Sequence, residues 1–259
     1  MKSQKIIRWI LIAAIFISLW ELFSLKSNNP KLFPDIYHLF TTTFPSIGVF
    51  DGGQASYLAA LKVLLTNSFI TFLRLLVGIS LGIVLGLMNG LMIHYFSTFK
   101  RGNLMILKFL RSIPLLALIP LFLYWFGGRE FGIILYIIFG GVIIIGSNTY
   151  DAVLNVPLPY IENAKILGAH KTKIYRSIIL VAILPEIYGG LKNLIGLSWA
   201  ISLAAEYLSS SNGLGFLTSQ SYSNGDMGKL LILCLVYIIL GMLSFTILKF
   251  LFSKLIIWQ

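Results

Sequence analysis

The sequence predicts an all-α membrane protein with six transmembrane helices, and two observations support this. Hydrophobic residues make up 58% of the 259 residues and charged residues only 11%, with a mean hydropathy of +0.89. In soluble domains charged residues account for about a quarter of the chain. The apolar residues also fall into runs of roughly 20, the length of a helix that crosses a bilayer, and the chain has room for about six.

The first two predicted helices are separated by an extracytoplasmic loop. The apolar run at residues 6–25 lacks a small-residue cleavage site, so it predicts a retained transmembrane helix rather than a signal peptide. Residues 26–56 contain three prolines and a Gly-Gly pair, which predict a loop with one short interfacial helix. The second span is predicted at residues 75–93, because Lys62 and Arg74 are costly in lipid.

Four further spans are predicted along the rest of the chain. They lie at about residues 104–125, 131–148, 187–208 and 229–250. Residues 151–184, here called the polar segment, separate the fourth span from the fifth, and a Ser/Asn/Gly-rich loop at 209–228 precedes the sixth. We therefore divide the chain into residues 1–56, one transmembrane helix with its loop, and residues 57–259, a core with five transmembrane helices.

The distribution of basic residues predicts the orientation. With six spans, the termini, the loop at 94–103 and the polar segment share one side. That side carries Lys2, Lys5, Arg8, Lys100, Arg101, Lys165, Lys171, Lys173, Arg176, Lys249 and Lys254. The other side carries Lys26, Lys31, Arg129 and Lys229, with Lys62 undecided. Because eleven basic residues lie on the first side and four or five on the other, we predict that the termini and the polar segment lie in the cytoplasm.

Several other functions are disfavoured. The net charge of +11 comes from basic residues at the ends of apolar runs, the pattern of membrane orientation rather than of nucleic-acid binding. The single cysteine, Cys234, excludes an intrachain disulfide. His38, His94 and His170 are far apart and lack other ligands at metal-binding spacing, so we expect no metal site. A Gly-rich phosphate loop is also absent, so we expect no ATP, Mg²⁺ or other cofactor on this chain.

The polar segment predicts two helices joined by a turn. Pro159 suits the first turn of a helix, where Glu162 is favoured by the helix dipole. Gly168 is a typical helix end, and a second helix is predicted from Lys171 to Leu184. A loop of about 35 residues with an ordered helical pattern is usually functional.

The residues of this segment resemble the EAA loop of ATP-binding cassette (ABC) importer permeases. That pattern reads Glu-Ala-Ala, three residues, Gly, nine residues, Ile-x-Leu-Pro. Its matching positions are Glu162, Ala164, Gly168, Ile178 and Leu180, whereas Asn163 replaces an alanine and Val181 replaces the proline. The resemblance implies that Glu162, Asn163, Ala164, Gly168, Ala169 and His170 couple the chain to an ATPase.

The run from Arg111 to Gly127 gives a second, independent resemblance. It is similar to the corresponding stretch in permeases of the nitrate, taurine and aliphatic sulfonate branch, with Ser112 and Leu115 replacing prolines. Together the two motifs imply a type I importer permease of MetI-like fold in a bacterial inner membrane. The implied partners are two ATPase subunits carrying ATP and Mg²⁺, a second permease copy or similar subunit, and an extracytoplasmic solute-binding protein.

Two further patterns lie within the spans. Gly78, Gly82, Gly86 and Gly90 recur every four residues and predict a flat stripe for close helix packing. Candidate residues of a solute pathway are the kink-forming prolines of the third span and polar or aromatic residues of the fifth. They are Pro114, Pro120, Ser198, Trp199 and Ser202.

Two alternatives stay open at this point. An ion-coupled secondary transporter would usually show internal repeats and broken helices in both halves. A polytopic membrane enzyme would need a convergent set of acids, histidines or a metal motif, and this chain has only nine acidic residues. For a permease, the resemblance suggests a sulfonate, nitrate or another small organic anion or vitamin precursor as the solute.

Overall fold

The computed structural model describes residues 2–27, 29 and 32–255, and within them the secondary structure is helical with no strand. The predicted all-α class is therefore confirmed. Pro30 and Lys31, which entered the loop and charge arguments, lie outside the described residues.

The N-terminal half begins with two long helices. Helix α1 spans Lys2–Ser27, short helical turns lie between Ile36 and Asp51, and α2 spans Tyr57–Tyr95. The predicted second span at residues 75–93 is thus part of one continuous helix of 39 residues. At 1.5 Å per residue, α2 is about 58 Å long, nearly twice the hydrocarbon thickness of a bilayer.

The predicted third span at residues 104–125 is wrong as a single helix. It is divided into α3, Ser97–Ser112, and α4, Leu115–Phe126, and the axis of Gly102–Ser112 differs from that of α4 by 104°. The break falls at Ile113 and Pro114, where both residues have extended backbone, because a proline disfavours helical geometry in the residue before it. Pro120 lies inside α4 without interrupting it.

The remaining helices follow the predicted order with one addition. They are α5, Glu130–Leu154; α6, Leu158–Ile166; α7, Lys171–Ala182; α8, Leu184–Ser209; α9, Leu214–Ser223; and α10, Met227–Leu255. Helix α9 lies inside the stretch predicted as the loop 209–228, so that prediction is wrong for these ten residues. Helix α7 includes a π-helical turn at Tyr175–Ile179.

Three of the described helices are long and apolar enough to cross a membrane: α2, α5 and α10. Two bent pairs, α3 with α4 and α7 with α8, raise this number to five if each pair forms one span. Six spans are therefore not confirmed, and the figure of six stays a prediction.

The chain forms two compact units, each made of two stretches. Unit 1 contains residues 1–70 and 212–238, and unit 2 contains residues 71–211 and 239–259. In unit 1 the side chain of Asn67 accepts a hydrogen bond from the Gly213 N–H at 2.7 Å, which joins α2 to the start of α9. The predicted division at residues 56 and 57 concerns membrane topology and stays a prediction.

Unit 2 is built around α5 and α8, which pack along each other. Both helices carry fully buried apolar side chains, among them Ile137 and Ile145 of α5 and Leu194 and Ile201 of α8. Where the two helices meet, Ile201 lies against Gly140. Burial of these branched apolar side chains fixes the position of the polar segment, because α5 leads into it and α8 leads out of it.

Candidate functional site

The polar segment contains two helices joined by a left-handed turn. Gly168 has φ +78°, and the N–H groups of Gly168 and Ala169 donate to the carbonyls of Lys165 and Ala164. This pair of hydrogen bonds is a Schellman motif, which satisfies the last carbonyls of α6. The predicted helix end at Gly168 is therefore present, and the turn fixes the direction in which α7 begins.

The first helix of the segment exposes large apolar side chains. Ile166 is 81% exposed and Leu167 is 86% exposed, whereas Ala164 is buried. Glu162, Asn163 and His170 are exposed, and Ala169 is half-buried. Two neighbouring apolar side chains held outward on a capped helix form a surface suited to a protein partner.

The second helix of the segment is attached to the end of α2. The Lys171 ammonium group donates to the Tyr95 carbonyl at 2.8 Å and lies 4.1 Å from the centre of the Tyr95 ring. The Tyr175 ring packs edge-on against Tyr95, and its hydroxyl group is hydrogen bonded to Nδ1 of His94. We call Lys171, Tyr175, His94 and Tyr95 the α2–α7 contact.

The start of the polar segment contacts the helix that follows the segment. The Asn155 amide group, after α5, donates to the Glu186 carboxylate, at the start of α8, at 3.1 Å. Arg111 of α3 pairs with Asp151 of α5 at 3.0 Å, and both side chains are about half exposed. Exposed pairs of this kind contribute about 0–1 kcal/mol each, so they orient the segment more than they stabilise the fold.

The glycine stripe of α2 lies against α5. A Cβ atom at Gly82 would lie 3.0 Å from the Cα atom of Gly141, and one at Gly78 would lie 2.6 Å from the Ile137 side chain. At Gly86 and Gly90 the nearest atoms belong to Gly141, Ile145, Gly146 and Thr149 at 2.6 to 3.2 Å. The backbones of the two helices approach so closely that a side chain at these positions would push them apart.

The predicted pathway residues lie in different surroundings. Pro114 lines an apolar groove of about 330 Å³ at the break between α3 and α4. Trp199 lines a second cavity, of about 120 Å³, and donates to the Ser244 hydroxyl at 3.2 Å. Pro120 is exposed. Pro114 and Trp199 thus line two different cavities.

The two serines of the predicted pathway are both fully buried but differ in bonding. The Ser202 hydroxyl donates to the Glu206 carboxylate at 3.3 Å. The Ser198 hydroxyl has no hydrogen-bond partner within the described part of the chain. A buried hydroxyl group without a partner costs about 1–3 kcal/mol, so the surroundings of Ser198 are the less favourable of the two.

A buried charged cluster was not predicted from the sequence. Arg74 of α2 is 2% exposed and pairs with Glu206 of α8 at 2.7 Å and with Glu130 of α5 at 2.5 Å. Glu206 is fully buried and also accepts a hydrogen bond from Thr71 at 2.9 Å. One arginine thus joins three helices. The sequence signal that could have predicted this cluster is an ionisable residue within an apolar helix, because such a residue requires a partner.

The described histidines do not lie in a cluster of possible metal ligands. Within the described residues, no group of three or more His, Cys, Asp or Glu side chains is placed to hold a metal ion. His94 instead contacts Tyr175, in the α2–α7 contact.

Comparison with known proteins identifies the family. A model of the family described as binding-protein-dependent transport system inner membrane component matches residues 78–257. The chain belongs to this family. Its members are permease subunits of ABC importers, in which ATP hydrolysis belongs to a separate chain. The chain is therefore a membrane-embedded transport subunit, and the two alternative classes are set aside.

Individual relatives agree with the family. A protein of Methanocaldococcus jannaschii described as an ABC transporter permease is 30% identical over 99% of this chain and 94% of its own length. A protein of Bacillus subtilis described as an aliphatic sulfonates transport permease is 30% identical, covering 73% of this chain and 69% of its own length. The nitrate import permease of Synechocystis sp. is 29% identical, covering 97% and 90%. The predicted resemblance to the nitrate and sulfonate branch is thus confirmed.

The fold is similar to that of a solved transporter. A chain in inward-facing structures of the MetNI methionine ABC transporter superposes with a TM-score of 0.65 at 21% identity, over 75% of this chain and 97% of that one. The predicted MetI-like fold is confirmed.

Proposed function

We propose that this chain forms part of the transmembrane pathway of an importer for a small solute and that its polar segment faces the cytoplasm and docks an ATPase subunit. The observation that carries the proposal is the exposure of Ile166 and Leu167 at 81% and 86% on a helix whose end is fixed by Gly168. Exposed apolar side chains at the fixed end of a helix fit a hydrophobic groove on a partner.

The proposed complex contains a second permease, either a copy of this chain or a similar one. Two ATPase subunits carry ATP and Mg²⁺, and an extracytoplasmic binding protein delivers the solute. The excess of basic residues on one side supports cytoplasmic termini. In this arrangement Glu162, Asn163, Ala164, Gly168, Ala169 and His170 belong to the ATPase-coupling surface.

The α2–α7 contact offers a route by which movement of a docked helix reaches the membrane. When the ATPase subunits close, α7 moves with them, and Lys171 and Tyr175 carry the end of α2 along. Because the glycine stripe of α2 lies directly against α5, a shift of α2 also acts on α5. The solute pathway then changes access from one side of the membrane to the other.

The relatives support a small anion as the solute, because they are described as permeases for aliphatic sulfonates and nitrate. Another organic anion or a vitamin precursor is compatible with the same architecture. Within the spans, Pro114, Pro120, Ser198, Trp199 and Ser202 are the proposed pathway residues, with Ser198 first because its buried hydroxyl group is unpartnered in the described chain.

Copurification with the ATPase subunit tests the proposal. Ile166→Ser combined with Leu167→Ser removes two apolar side chains, each worth about 1.5–3 kcal/mol when buried. We expect binding of the ATPase to weaken by about a hundredfold or more, with normal membrane insertion. Val49→Ser, at an exposed apolar residue of the predicted extracytoplasmic loop, is the control. Normal ATPase binding by the double variant would refute docking at this surface.

A further inference from the structure

Helix α3 packs across the ends of two membrane helices rather than continuing one of them. Its inner face carries Leu104 and the buried Leu107, which pack against Ile93 near the end of α2 and Tyr150 near the end of α5. Arg111, one turn further along α3, pairs with Asp151 on the last turn of α5. All these contacts lie at the same ends of α2 and α5.

The neighbouring helix α4 covers a different part of α5. The Tyr136 hydroxyl group, near the start of α5, donates to the carbonyl of Leu115 at the start of α4. Helix α4 therefore lies along the first half of α5, whereas α3 lies across its last turns. The 104° bend between them turns α3 away from the direction of α4. Because α4 lies along α5, the same bend sets α3 at a steep angle to α5, which is the orientation of a helix that lies along a membrane surface.

The outer surface of α3 is divided between apolar and basic side chains. Met105, Ile106 and Phe109 are 76%, 56% and 66% exposed, respectively. The Lys108 side chain is exposed, its ammonium group makes no hydrogen bond or ion pair inside the described part of the chain, and the Arg111 side chain is 57% exposed. An amphipathic helix with large apolar residues on one face and basic residues on another is typical of the bilayer interface.

We propose that α3 is an interfacial helix that binds anionic phospholipid in the cytoplasmic leaflet. Met105, Ile106 and Phe109 face the acyl chains, and Lys108 and Arg111 bind the headgroup phosphates. The positive charge of Lys108 and Arg111 matches the negative surface of that leaflet, which attracts basic residues close to it. The side of the membrane rests on the orientation given under the proposed function.

The groove at the break between α3 and α4 offers room for an acyl chain. It has a volume of about 330 Å³, and its apolar lining includes Ile113, Pro114, Leu116 and Leu197. Arg111 is the charged residue among the described residues that line it. An apolar groove next to an exposed guanidinium group suits a phospholipid, because the acyl chain and the phosphate find complementary surroundings.

Spin labelling of the full chain in lipid nanodiscs tests the proposal. In a Cys234→Ser background, labels are attached to Met105→Cys, Ile106→Cys, Phe109→Cys and Lys108→Cys. Collision rates with oxygen, which partitions into lipid, and with a polar nickel chelate give the depth of each label. The nanodiscs contain either phosphatidylcholine alone or phosphatidylcholine with a third phosphatidylglycerol.

We expect the labels at positions 105, 106 and 109 to lie at one shallow depth on the oxygen-accessible side, with the label at 108 accessible to nickel. Phosphatidylglycerol should lower nickel access along α3 by about twofold, because the headgroups draw the helix closer. Lys108→Gln with Arg111→Gln, read from the label at 109, should remove this response. Lys62→Gln, at an exposed lysine before the predicted second span, should keep it.

Three results would overturn the proposal. Depth that increases steadily from position 105 to 109 means that α3 crosses the membrane. Labels shielded from both oxygen and nickel mean that a second permease covers this face. Equal nickel access in both lipid mixtures means that α3 does not bind anionic headgroups. The orientation of the chain is measured separately, by labelling Lys173→Cys from either side of the membrane vesicles from which the protein for the nanodiscs is purified. Failure of the proposed topology is therefore distinguishable from failure of the interfacial helix.

Discussion

Arg74 and Glu206 form a buried ion pair between α2 and α8, with Nη1 of the arginine 2.7 Å from Oε1 of the glutamate and side chains 2% and 0% exposed. Thr71 and Ser202 also donate to this carboxylate, at 2.9 and 3.3 Å. Arg74, Thr71 and Ser202 thus all donate to one buried carboxylate, and their hydrogen bonds compensate its charge. Two residues 132 positions apart thereby hold two helices together at a fixed point.

Removal of the glutamate charge should destabilise the protein. We expect Glu206→Leu to cost about 3–5 kcal/mol, because it leaves the buried Arg74 with one partner fewer. Glu130→Gln is the matched control: the Glu130 side chain is 55% exposed, so water replaces much of what the charge supplied. Thermal unfolding of the purified subunit measures both. Equal losses of stability in the two variants would show that the buried pair with Glu206 stabilises the protein no more than the exposed pair with Glu130.

The conformation of Gly168 should determine coupling. We expect Gly168→Val to leave membrane insertion normal but to abolish ATPase binding, because a β-branched residue is strongly disfavoured at positive φ and costs about 1–2 kcal/mol or more there. Gly168→Asn should retain most binding, because asparagine tolerates this conformation. Glu162→Lys should also reduce binding, since it reverses a charge on the proposed docking surface.

Copurification of the ATPase with each of these variants, followed by solute uptake in vesicles, makes the measurement. If Gly168→Val binds and transports as well as Gly168→Asn, the left-handed turn has no role in docking.

The glycine stripe should be sensitive to added side chains. Gly82→Leu is expected to lower the folded yield severely, because its Cβ atom alone would lie 3.0 Å from the Gly141 backbone. Gly241→Leu is the control, because no neighbouring atom lies within 4 Å of a Cβ atom built at that glycine of α10. Fluorescence-detected gel filtration of the two variants gives the comparison. Similar yields would mean that α2 and α5 do not pack through this stripe in the membrane.

The α2–α7 contact should transmit movement without contributing to docking. We expect Tyr175→Phe with Lys171→Gln to bind the ATPase normally, while solute uptake per ATP hydrolysed falls by about tenfold, since each lost hydrogen bond weakens the contact by about 1 kcal/mol. Lys249→Gln, at an exposed lysine of α10, removes one positive charge outside the contact and should transport normally. Unchanged uptake in the double variant would place the route of transmission elsewhere.

The orientation of the chain is testable by side-specific labelling. In a Cys234→Ser background, Lys173→Cys should react with an impermeant thiol reagent from the cytoplasmic side and Ser211→Cys from the outside, because basic residues concentrate on the side of the polar segment. Both positions are exposed. Reaction of both from one side would contradict the six-span topology.

The sequence by itself determined the features that depend on a few neighbouring residues. A glycine after the first predicted helix of the polar segment predicted the turn at Gly168, because the left-handed backbone conformation depends on the residue itself and its chain neighbours. The recurrence of glycine every four residues predicted a flat face on α2, because the helix repeat is fixed at 3.6 residues. Composition was enough to predict the class of membrane protein, and the motifs in the polar segment and in residues 111–127 were enough to predict the family.

Only the tertiary structure decided which distant residues meet and where a helix turns. Arg74 and Glu206 were each recognisable as costly in an apolar helix, but their pairing depends on how α2 and α8 pack. Both prolines of the run at 104–125 were candidates for a kink, and the break occurred at Pro114 alone. At Pro114, α3 can turn and bury Leu107 at the ends of α2 and α5, whereas α4 continues through Pro120 while packed along α5. Packing of this kind joins residues far apart in the chain, so local sequence signals do not specify it.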